Sequence, residues 1–462
     1  MRCISEEPIQ RKIVMGGIAG IAESGMRNEV NRMLDKIAHR GQAARKVVDF
    51  EGATLGAVFT EIQKEQIENL EKNKTASDFV ADGHYAYAKI LNNELMLERD
   101  QLGASPLYYG PTGNGTLCFA SEVKAILDFT NNIHELPAGH RLIGNRIENY
   151  FKLEKKQPID QDSDKIAREL HKRLEISVSG FVVGHDPIGS WLSGGLDSST
   201  LAALARPLVR KLHTFAAGFP DAPDVEHARE VAEYLQSDHH EVIVNVDDLL
   251  SALPKVIYHL ESFDALLVRS SITNYLVAEA AAKYVPAVMS GEGGDELFAG
   301  YAYLKSLDPL KIPDELIDII GRLHNTALQR VDRSASAHGT LAHVGFLDPN
   351  VVDYALHIPA KYKLSEGVEK WIVRKAMEDK LPKRILARTK SKFWQGAGIE
   401  DSLEQYAEKQ ISDNNFERER KLPNGLILNS KEELMYYRIF KNHFGDLENL
   451  SWVGRTKGAP KQ

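Results

Sequence analysis

A short strand, a glycine-rich turn and the start of a helix follow one another between Pro187 and Ala205. The turn reads Ser193-Gly194-Gly195-Leu196-Asp197-Ser198-Ser199. Adjacent glycines let the backbone come close to a ligand, and the first turn of the helix offers unpaired N–H groups to an anion. The loop lacks both the lysine of a P-loop and the G-x-G-x-x-G pattern of a dinucleotide fold. The sequence therefore predicts another kind of phosphate site, at the end of a strand.

Helices and strands alternate along the chain from Ser163 onward. This alternation predicts a parallel, doubly wound sheet whose ligands bind at the carboxyl ends of the strands. From Lys305 to the end, the sequence is typical of a mostly helical region. The predicted helices cover 165–178, 225–235, 249–260 and 271–284, and the predicted strands cover 212–219, 241–246 and 285–290.

The first 150 residues have a different pattern, with short strands, glycine-rich turns and one helix at 28–38. We expect strands at 15–22, 85–91 and 94–98, the last two paired through a turn at Asn92-Asn93. The polar stretch 155–162 is the predicted linker. The sequence therefore predicts two domains, 1–155 and 160–462.

Composition excludes several classes of protein. A formal charge of −8 gives no basic surface for nucleic acid. Only two cysteines occur, Cys3 and Cys118, which excludes a disulfide framework and suits a reducing compartment. No apolar run approaches the roughly 20 residues needed to span a bilayer, and residues 1–12 lack the apolar core of a signal peptide. We expect a cytoplasmic protein that binds neither nucleic acid nor membrane.

A second glycine-rich loop follows the predicted strand that ends near Met289. It carries three acidic residues within five positions, Glu292, Asp295 and Glu296, spaced by glycines. Such a loop is poorly explained as core, although a solvated surface loop remains an alternative. Carboxylate oxygens suit Mg²⁺ that is bound together with phosphates. The second loop therefore indicates a metal–nucleotide site.

The first loop resembles the SGGxDS loop of the N-type ATP pyrophosphatases, which cleave ATP between its α and β phosphates. Together with the second loop, it resembles the asparagine synthetase B-type family. The resemblance extends over essentially the whole chain. Further matching segments lie at 99–109, 119–125, 136–139, 212–215, 239–241, 268–271, 330–333, 345–348 and 430–433.

This resemblance implies an α+β amino-terminal domain of the N-terminal-nucleophile (Ntn) hydrolase type, which in the family is a glutaminase. It further implies an α/β doubly wound ATP pyrophosphatase domain with a helical carboxyl-terminal region. In the family, ATP and Mg²⁺ activate aspartate as an acyl-adenylate with release of pyrophosphate, and ammonia then displaces AMP. The implied partners are thus a small carboxylate (aspartate or an analogue) and ammonia or an amine. A separate glutaminase and a homodimer are left open.

Site residues follow from the same resemblance. Asp197 and Asp295 would hold Mg²⁺ on the ATP phosphates. Glu292 takes the place of the family residue that is needed for adenylate formation and for deprotonating the attacking amine. Lys390 takes the place of a family lysine that stabilises charge at the α-phosphate. Without the resemblance, Lys390 would be an ordinary lysine of a charged loop. The implied nucleotide-binding residues are Leu192, Ser193, Gly194, Gly195, Asp197, Ser198, Ser199, Ala217, Ser290 and Gly291.

The sequence departs from the family in the glutaminase domain. Gly16 stands where active members carry the nucleophilic cysteine, and glycine offers no nucleophile. Cys3 is no substitute, because Ile4-Ser5-Glu6 after it does not match the family strand. The family's glutamine-binding segments also have no counterpart between Gly41 and Gly83. We therefore predict an inactive glutaminase domain.

A second departure lies on the acceptor side. Leu341 and His343 replace a glutamate and an arginine that asparagine synthetases commonly carry. If the arginine recognises a dicarboxylate, its loss weakens aspartate binding, so a different acceptor stays open. We expect His343 itself to be structural.

Three functions are consistent with these observations. Glu292 favours an ammonia-dependent, asparagine synthetase-like ligase. β-Lactam synthetases and lasso-peptide cyclases also belong to this superfamily and form amides by other routes; β-lactam synthetases lack the cysteine, use an internal amine, and typically carry tyrosine at the position of Glu292. A nucleotide-binding pseudoenzyme is the third alternative, and the retention of Asp197, Glu292, Asp295 and Lys390 argues against it.

Overall fold

The structure is a computed structural model that describes residues 16–72, 74–79, 84–183, 186–389, 396–397, 402–447 and 449–456. Its amino-terminal half, up to residue 149, is built on antiparallel sheets, and its carboxyl-terminal half, from residue 163, on a parallel sheet. Residues 150–162 join the halves without regular secondary structure. The predicted fold class is confirmed: an α+β half precedes an α/β half with a helical carboxyl-terminal region. The limits of the two domains stay a prediction.

The strands are numbered in chain order. They are β1 Gly17–Ile21, β2 Ala44–Phe50, β3 Ala53–Phe59, β4 Thr75–Phe79, β5 Tyr85–Leu91, β6 Glu94–Arg99, β7 Tyr108–Pro111, β8 Leu117–Ala120, β9 His134–Glu135, β10 His140–Ile143, β11 Arg146–Asn149, β12 Ile188–Trp191, β13 Leu212–Gly218, β14 Asp238–Ile243, β15 Ala287–Met289, β16 Leu341–His343, β17 Leu364–Ser365 and β18 Val368–Glu369.

The α-helices are numbered in the same way. They are α1 Arg27–Lys36, α2 Ile67–Lys72, α3 Ser163–Val182, α4 Leu196–Ala205, α5 Pro223–Leu235, α6 Val246–Leu260, α7 Ala265–Ala281, α8 Gly294–Leu297, α9 Ile312–Gly321, α10 Ala327–Ser336, α11 Pro349–His357, α12 Ala360–Lys363, α13 Trp371–Ala376, α14 Lys383–Ala387, α15 Ser402–Gln410, α16 Asp413–Glu419 and α17 Lys431–Phe444. Among the described residues, no helix is both long enough and apolar enough to cross a bilayer.

Two antiparallel sheets make up the amino-terminal half, in the orders β2-β3-β1-β8-β7-β9 and β11-β10-β6-β5-β4. All five residues of β1 are buried. Because successive side chains point to opposite sides of a strand, both faces of β1 are therefore covered. Ile18 packs into the core shared by the two sheets. Ala19 and Ile21 pack into a second core that includes α1 and the helices α6, α7 and α17 of the other half. This second core joins the two halves.

The carboxyl-terminal half is organised around a five-stranded parallel sheet in the order β14-β13-β12-β15-β16. The chain starts at the central strand β12, moves outward to β13 and β14, and then returns to the other side of β12. Because crossovers between parallel strands are right-handed as a rule, this strand order is expected to place helices on both faces of the sheet, as a doubly wound fold requires. The order reverses at β12 and β15, which opens a crevice at their carboxyl ends.

Most predicted elements are present, with shifted ends. The predicted strand 241–246 is wrong at both ends, since β14 covers Asp238–Ile243. Asn245 caps α6 instead, and its side chain accepts a hydrogen bond from the Asp248 N–H at 3.1 Å. The region after Lys305 is mostly helical, but it also supplies β16, the outer strand of the parallel sheet. Three residues are too few for a hydrophobic pattern to identify a strand.

A buried network of charges lies where the two halves meet. The Arg40 guanidinium donates to both carboxylate oxygens of Asp332 at 2.9 Å and to Glu122 Oε1 at 2.9 Å. Arg333 lies 3.0 Å from Glu122 Oε1 and 3.1 Å from Glu261 Oε2. Three cationic and three anionic side chains take part, all almost fully buried: Arg40, Lys124, Arg333, Glu122, Glu261 and Asp332.

Candidate active site

The two glycine-rich loops lie side by side. The first, residues 192–195, leaves the carboxyl end of β12, and the second, residues 290–293, leaves the neighbouring parallel strand β15. A Cβ atom added to Gly291 would lie 2.8 Å from the Ser198 nitrogen, and one added to Gly294 would overlap the carboxyl group of Asp197. Only glycine allows the loops to approach this closely. The loops therefore form a single site, which we call the crevice.

The first loop is held in shape by its glycines and by hydrogen bonds within the loop. Gly194 has a φ of +65°, and a Cβ there would overlap the backbone of His227. Gly195 precedes α4 as its N-cap residue. The Ser198 hydroxyl accepts a hydrogen bond from the Ser193 N–H at 3.2 Å and donates to the Gly195 carbonyl at 3.2 Å. The loop is thus fixed from inside, with the amino terminus of α4 opening into the crevice.

The two predicted metal ligands, Asp197 and Asp295, come together in the crevice around a lysine. The Lys370 ammonium contacts Asp197 Oδ2 and lies 2.6 Å from Asp295 Oδ1. Lys370 is almost fully buried and has a φ of +54°, which is uncommon for a residue with a side chain. Sequence reasoning missed Lys370, because nothing in its local sequence distinguishes it from the many other lysines of the chain.

Glu292 lies at the accessible edge of the second loop. Arg330 pairs with its Oε1 atom, and the same guanidinium donates to the Ser270 hydroxyl at 2.9 Å. The pair therefore fixes the direction of the Glu292 side chain, which remains partly exposed. Arg330 belongs to a segment that the sequence analysis noted only as a match, without a role.

Glu296, the third acid of the second loop, has different contacts from Asp295 and Glu292. Its side chain is buried, and it accepts hydrogen bonds from the Tyr301 hydroxyl and from the Gly293 N–H, the latter at 3.1 Å. Burial, together with the nearby charges of Asp295 and Glu292, raises the pKa of Glu296 to about 7. Glu296 therefore stabilises the turn into α8 from a buried position.

The remaining predicted residues have mixed positions. Ser193, Gly195, Ala217 and Gly291 are partly exposed around the crevice. Leu192, Gly194, Ser198 and Ser290 are buried beneath it, and Ser199 is fully buried.

Lys390 lies outside the described residues. Arg388, two positions earlier, donates to the Ser193 carbonyl at 3.0 Å and pairs with Asp224, so the chain reaches the first loop at that point.

The donor set of the crevice fits a complex of ATP with Mg²⁺. Two carboxylates, Asp197 and Asp295, are hard oxygen ligands of the kind that Mg²⁺ uses together with substrate phosphates. The amino terminus of α4 supplies backbone N–H groups and a favourable dipole for a phosphate. The absence of side chains at Gly194, Gly291 and Gly294 lets the two loops pack closely, so the carboxylates and the helix terminus belong to one site. The charge and the geometry of the donor set therefore agree with this ligand.

Gly16, at the predicted position of the lost nucleophile, is tightly enclosed. A Cβ atom added there would overlap the Val58 carbonyl oxygen and lie 2.9 Å from Gln63 Oε1. Gln63 is held in place because its Oε1 atom accepts a hydrogen bond from the Thr60 N–H at 2.8 Å. The Gly16 carbonyl itself accepts a hydrogen bond from Arg40 at 2.9 Å. The structure therefore leaves no space for a side chain at residue 16.

The two acceptor-side replacements are both buried in β16. The His343 ring stacks on Phe181, with ring centroids 4.4 Å apart, and its Nε2 atom lies 3.3 Å from the Ser177 hydroxyl. Leu341 packs in the same core cluster as Phe181. This environment supports the expected structural role of His343.

The asparagine synthase family profile matches residues 169–318 and 309–455, and a glutamine amidotransferase domain profile matches residues 73–157, which do not include Gly16.

Three curated relatives are similar over most of the chain. A probable glutamine-hydrolysing asparagine synthetase of Dictyostelium discoideum is 32% identical over 435 residues, 85% of this chain and 77% of the relative. Asparagine synthetase B of Escherichia coli is 34% identical over 76% of this chain and 67% of its own. A probable glutamine-hydrolysing asparagine synthetase of Schizosaccharomyces pombe is 34% identical over 76% of this chain and 70% of the relative. The chain therefore belongs to the asparagine synthetase family of ATP-dependent carbon–nitrogen ligases.

Proposed function

We propose that this protein forms an amide from a small carboxylate and ammonia, through an acyl-adenylate, without hydrolysing glutamine. The observation that carries this proposal is the crevice, where Asp197 and Asp295 meet at the amino terminus of α4 with Glu292 at the edge. Aspartate is the acceptor we test first, because the relatives are named asparagine synthetases. The two cysteines in 462 residues favour a cytoplasmic location.

Binding of ATP follows from the first loop. The backbone N–H groups in the first turn of α4 would receive the phosphates. Asp197 and Asp295 would hold Mg²⁺, which, when bound, neutralises phosphate charge and so favours departure of pyrophosphate. Lys370 already lies between these carboxylates, so its ammonium can move onto a phosphate oxygen when the metal arrives. Lys390 is the second proposed cation, at the α-phosphate.

Bond formation then takes place at the second loop. The carboxylate of the acceptor attacks the α-phosphorus, which gives the acyl-adenylate and pyrophosphate. Glu292 Oε2 is available to accept a proton from the attacking ammonia, while Arg330 holds Oε1. AMP leaves as the amide forms. Glu292 is therefore the proposed general base, and Arg330 the residue that positions it.

The nitrogen source is proposed to be free ammonia or ammonia from a separate glutaminase. A glutaminase of this family needs a nucleophile at residue 16, and Gly16 has neither a nucleophile nor space for one. We infer that the amino-terminal half serves as a packing partner for the ligase half.

A pyrophosphate-release assay tests the proposal. Purified protein receives Mg-ATP and aspartate, with either ammonium or glutamine as the nitrogen source, and asparagine, AMP and pyrophosphate are quantified. We expect equal amounts of the three products with ammonium and none with glutamine. Glu292→Gln should lower the rate at least about 100-fold, in the range of a lost general base. Glu378→Gln, on an exposed acid, is the matched control.

Each other outcome has a defined meaning. Asparagine formed from glutamine would disprove the loss of glutaminase activity. No release with aspartate, but release with an amine-bearing carboxylate in the absence of ammonium, would favour an intramolecular ligase. ATP binding without pyrophosphate release for any acceptor would leave a nucleotide-binding pseudoenzyme.

A further inference from the structure

Three side chains with metal-ligating atoms meet at the outer edge of the parallel sheet. They lie near the amino ends of β13 and β14, at the opposite end of the strands from the crevice. Strands β13 and β14 run parallel, His213 is paired with Asp238, and Phe215 is paired with His240. Alternate residues of a strand share a face, so Asp238 and His240 point to the same side. His213, the cross-strand neighbour of Asp238, points to that side as well. The regular geometry of the strands therefore creates the cluster.

The distances within the cluster match a metal site. His213 Nδ1 lies 3.1 Å from His240 Nε2 and 3.4 Å from Asp238 Oδ2, and His240 Nε2 lies 3.9 Å from the same oxygen. Ligand bonds of about 2.0–2.1 Å at near-tetrahedral angles separate two ligand atoms by about 3.3 Å. The two imidazoles and the carboxylate can therefore surround one ion with only small side-chain movements.

Packing holds two of the ligands while leaving a path from solvent. His213 is buried, whereas Asp238 and His240 are partly exposed because β14 is the edge strand. The His240 ring packs against Tyr284, with centroids 4.1 Å apart, and against Phe215, with centroids 4.9 Å apart. These ring contacts limit rotation of the His240 side chain, and the partly exposed side of the cluster faces solvent.

One cation already contacts the cluster. The Lys211 ammonium lies 2.7 Å from Asp238 Oδ2, the oxygen that also faces both histidines. More than half of the Lys211 side chain is exposed, so it can leave at little cost in free energy. Lys211 therefore marks the place as one that attracts positive charge, and it competes with a metal ion for Asp238.

We propose that His213, Asp238 and His240 bind one divalent transition-metal ion of the Zn²⁺ class, with water as the fourth ligand. Imidazole nitrogen suits Zn²⁺ and its neighbours in the transition series, whereas Mg²⁺ prefers oxygen. The site lies at the amino ends of the strands, and the crevice lies at their carboxyl ends. The ion has a structural role, because it ties the edge strand β14 to β13.

Zinc binding to the full-length, tag-free protein tests the proposal. After treatment with a chelator, the protein is titrated with ZnCl₂ in a calorimeter, and Co²⁺ is added separately to record the visible absorption of a tetrahedral site. We expect one Zn²⁺ per chain. His240→Ala should weaken binding at least about tenfold, since even removal of partners that only orient a ligand weakens metal sites by that amount.

Two further variants separate a metal site from a merely structural cluster. His239→Gln alters the neighbouring histidine, which points to the other face and contacts Thr214, and it should leave zinc affinity unchanged. Lys211→Met removes the competing cation and should tighten binding about fivefold, from the loss of repulsion near the surface. No zinc binding by the wild type, full binding by His240→Ala, or weaker binding by Lys211→Met would each overturn the proposal.

Discussion

Lys363 is a buried cation whose removal should stabilise the protein at neutral pH. The residue ends α12, is almost fully buried, and borders a cavity of about 310 Å³ whose wall also includes Lys155 and Lys156. Burial lowers the pKa of Lys363 from 10.5 to about 7. Lys363→Met keeps the long apolar stem and removes the ammonium, so packing changes little while the cost of burying a charge disappears.

The size of the effect follows from the pKa. A pKa that falls from 10.5 to about 7 corresponds to about 5 kcal/mol against burying the charged form, of which about 4 kcal/mol remains at pH 7. The folded protein binds fewer protons than the unfolded chain between these two values. The cost is therefore fully present below pH 7, and the free energy of unfolding of the wild type rises with pH from 7 to 10.5 through this group.

Urea unfolding of the wild type and of Lys363→Met at pH 7 and pH 10 measures the effect. We expect the variant to be more stable by up to about 4 kcal/mol at pH 7 and by less than about 1 kcal/mol at pH 10. Lys361→Met, on the exposed side of the same short helix, should change stability little at either pH. Equal stability of wild type and Lys363→Met at pH 7 would refute the reasoning, since it would mean that the ammonium is hydrated through the cavity.

Three other substitutions test contacts described above. Gly16→Ala should cost about 1–3 kcal/mol by overpacking against Val58, and an unchanged melting temperature would contradict the absence of space there. Arg40→Met leaves Asp332 buried without its main partner and should lower the free energy of unfolding by about 3–5 kcal/mol in urea, where a loss below 1 kcal/mol would contradict the network. Lys370→Met removes the cation that lies between Asp197 and Asp295 and would compete with a metal ion, so Mg²⁺ alone should raise the melting temperature more than in the wild type, and an equal or smaller rise would contradict the predicted metal site.

The sequence predicted those parts of the site that are local. The pattern of the sequence predicted that the loops at Ser193 and Ser290 each follow a strand, and the family resemblance implied that Asp197 and Asp295 act together. Their meeting depends on the long-range pairing of β12 with β15, which no local pattern predicts. Lys370 reaches the same point from a different segment of the chain. Its place depends on the positive φ before α13 and on the path of the chain through α11 and α12, neither of which a local pattern encodes.

In the fold, too, the elements with a clear local pattern were predicted, and those that depend on distant pairing were not. Long elements with clear periodicity, such as α3 and the pair β5–β6, were predicted within a few residues. The strand β16 was not, because its three residues are strand only through their pairing with β15. The pairing of Glu292 with Arg330 was also beyond the sequence, since the two residues are 38 positions apart on different elements.

The charge network between the halves can form only after residue 333 of this chain has been synthesised. The amino-terminal half contributes Arg40, Lys124 and Glu122, a net charge of +1, and the carboxyl-terminal half contributes Arg333, Glu261 and Asp332, a net charge of −1. During translation, the three charged residues of the amino-terminal half emerge well before those of the carboxyl-terminal half. Their side chains therefore remain hydrated until the later residues have been made. A shortened gene that began at the ligase half would leave its own three charges and an apolar surface permanently uncovered. Folding alone therefore favours keeping the amino-terminal half joined to the ligase half.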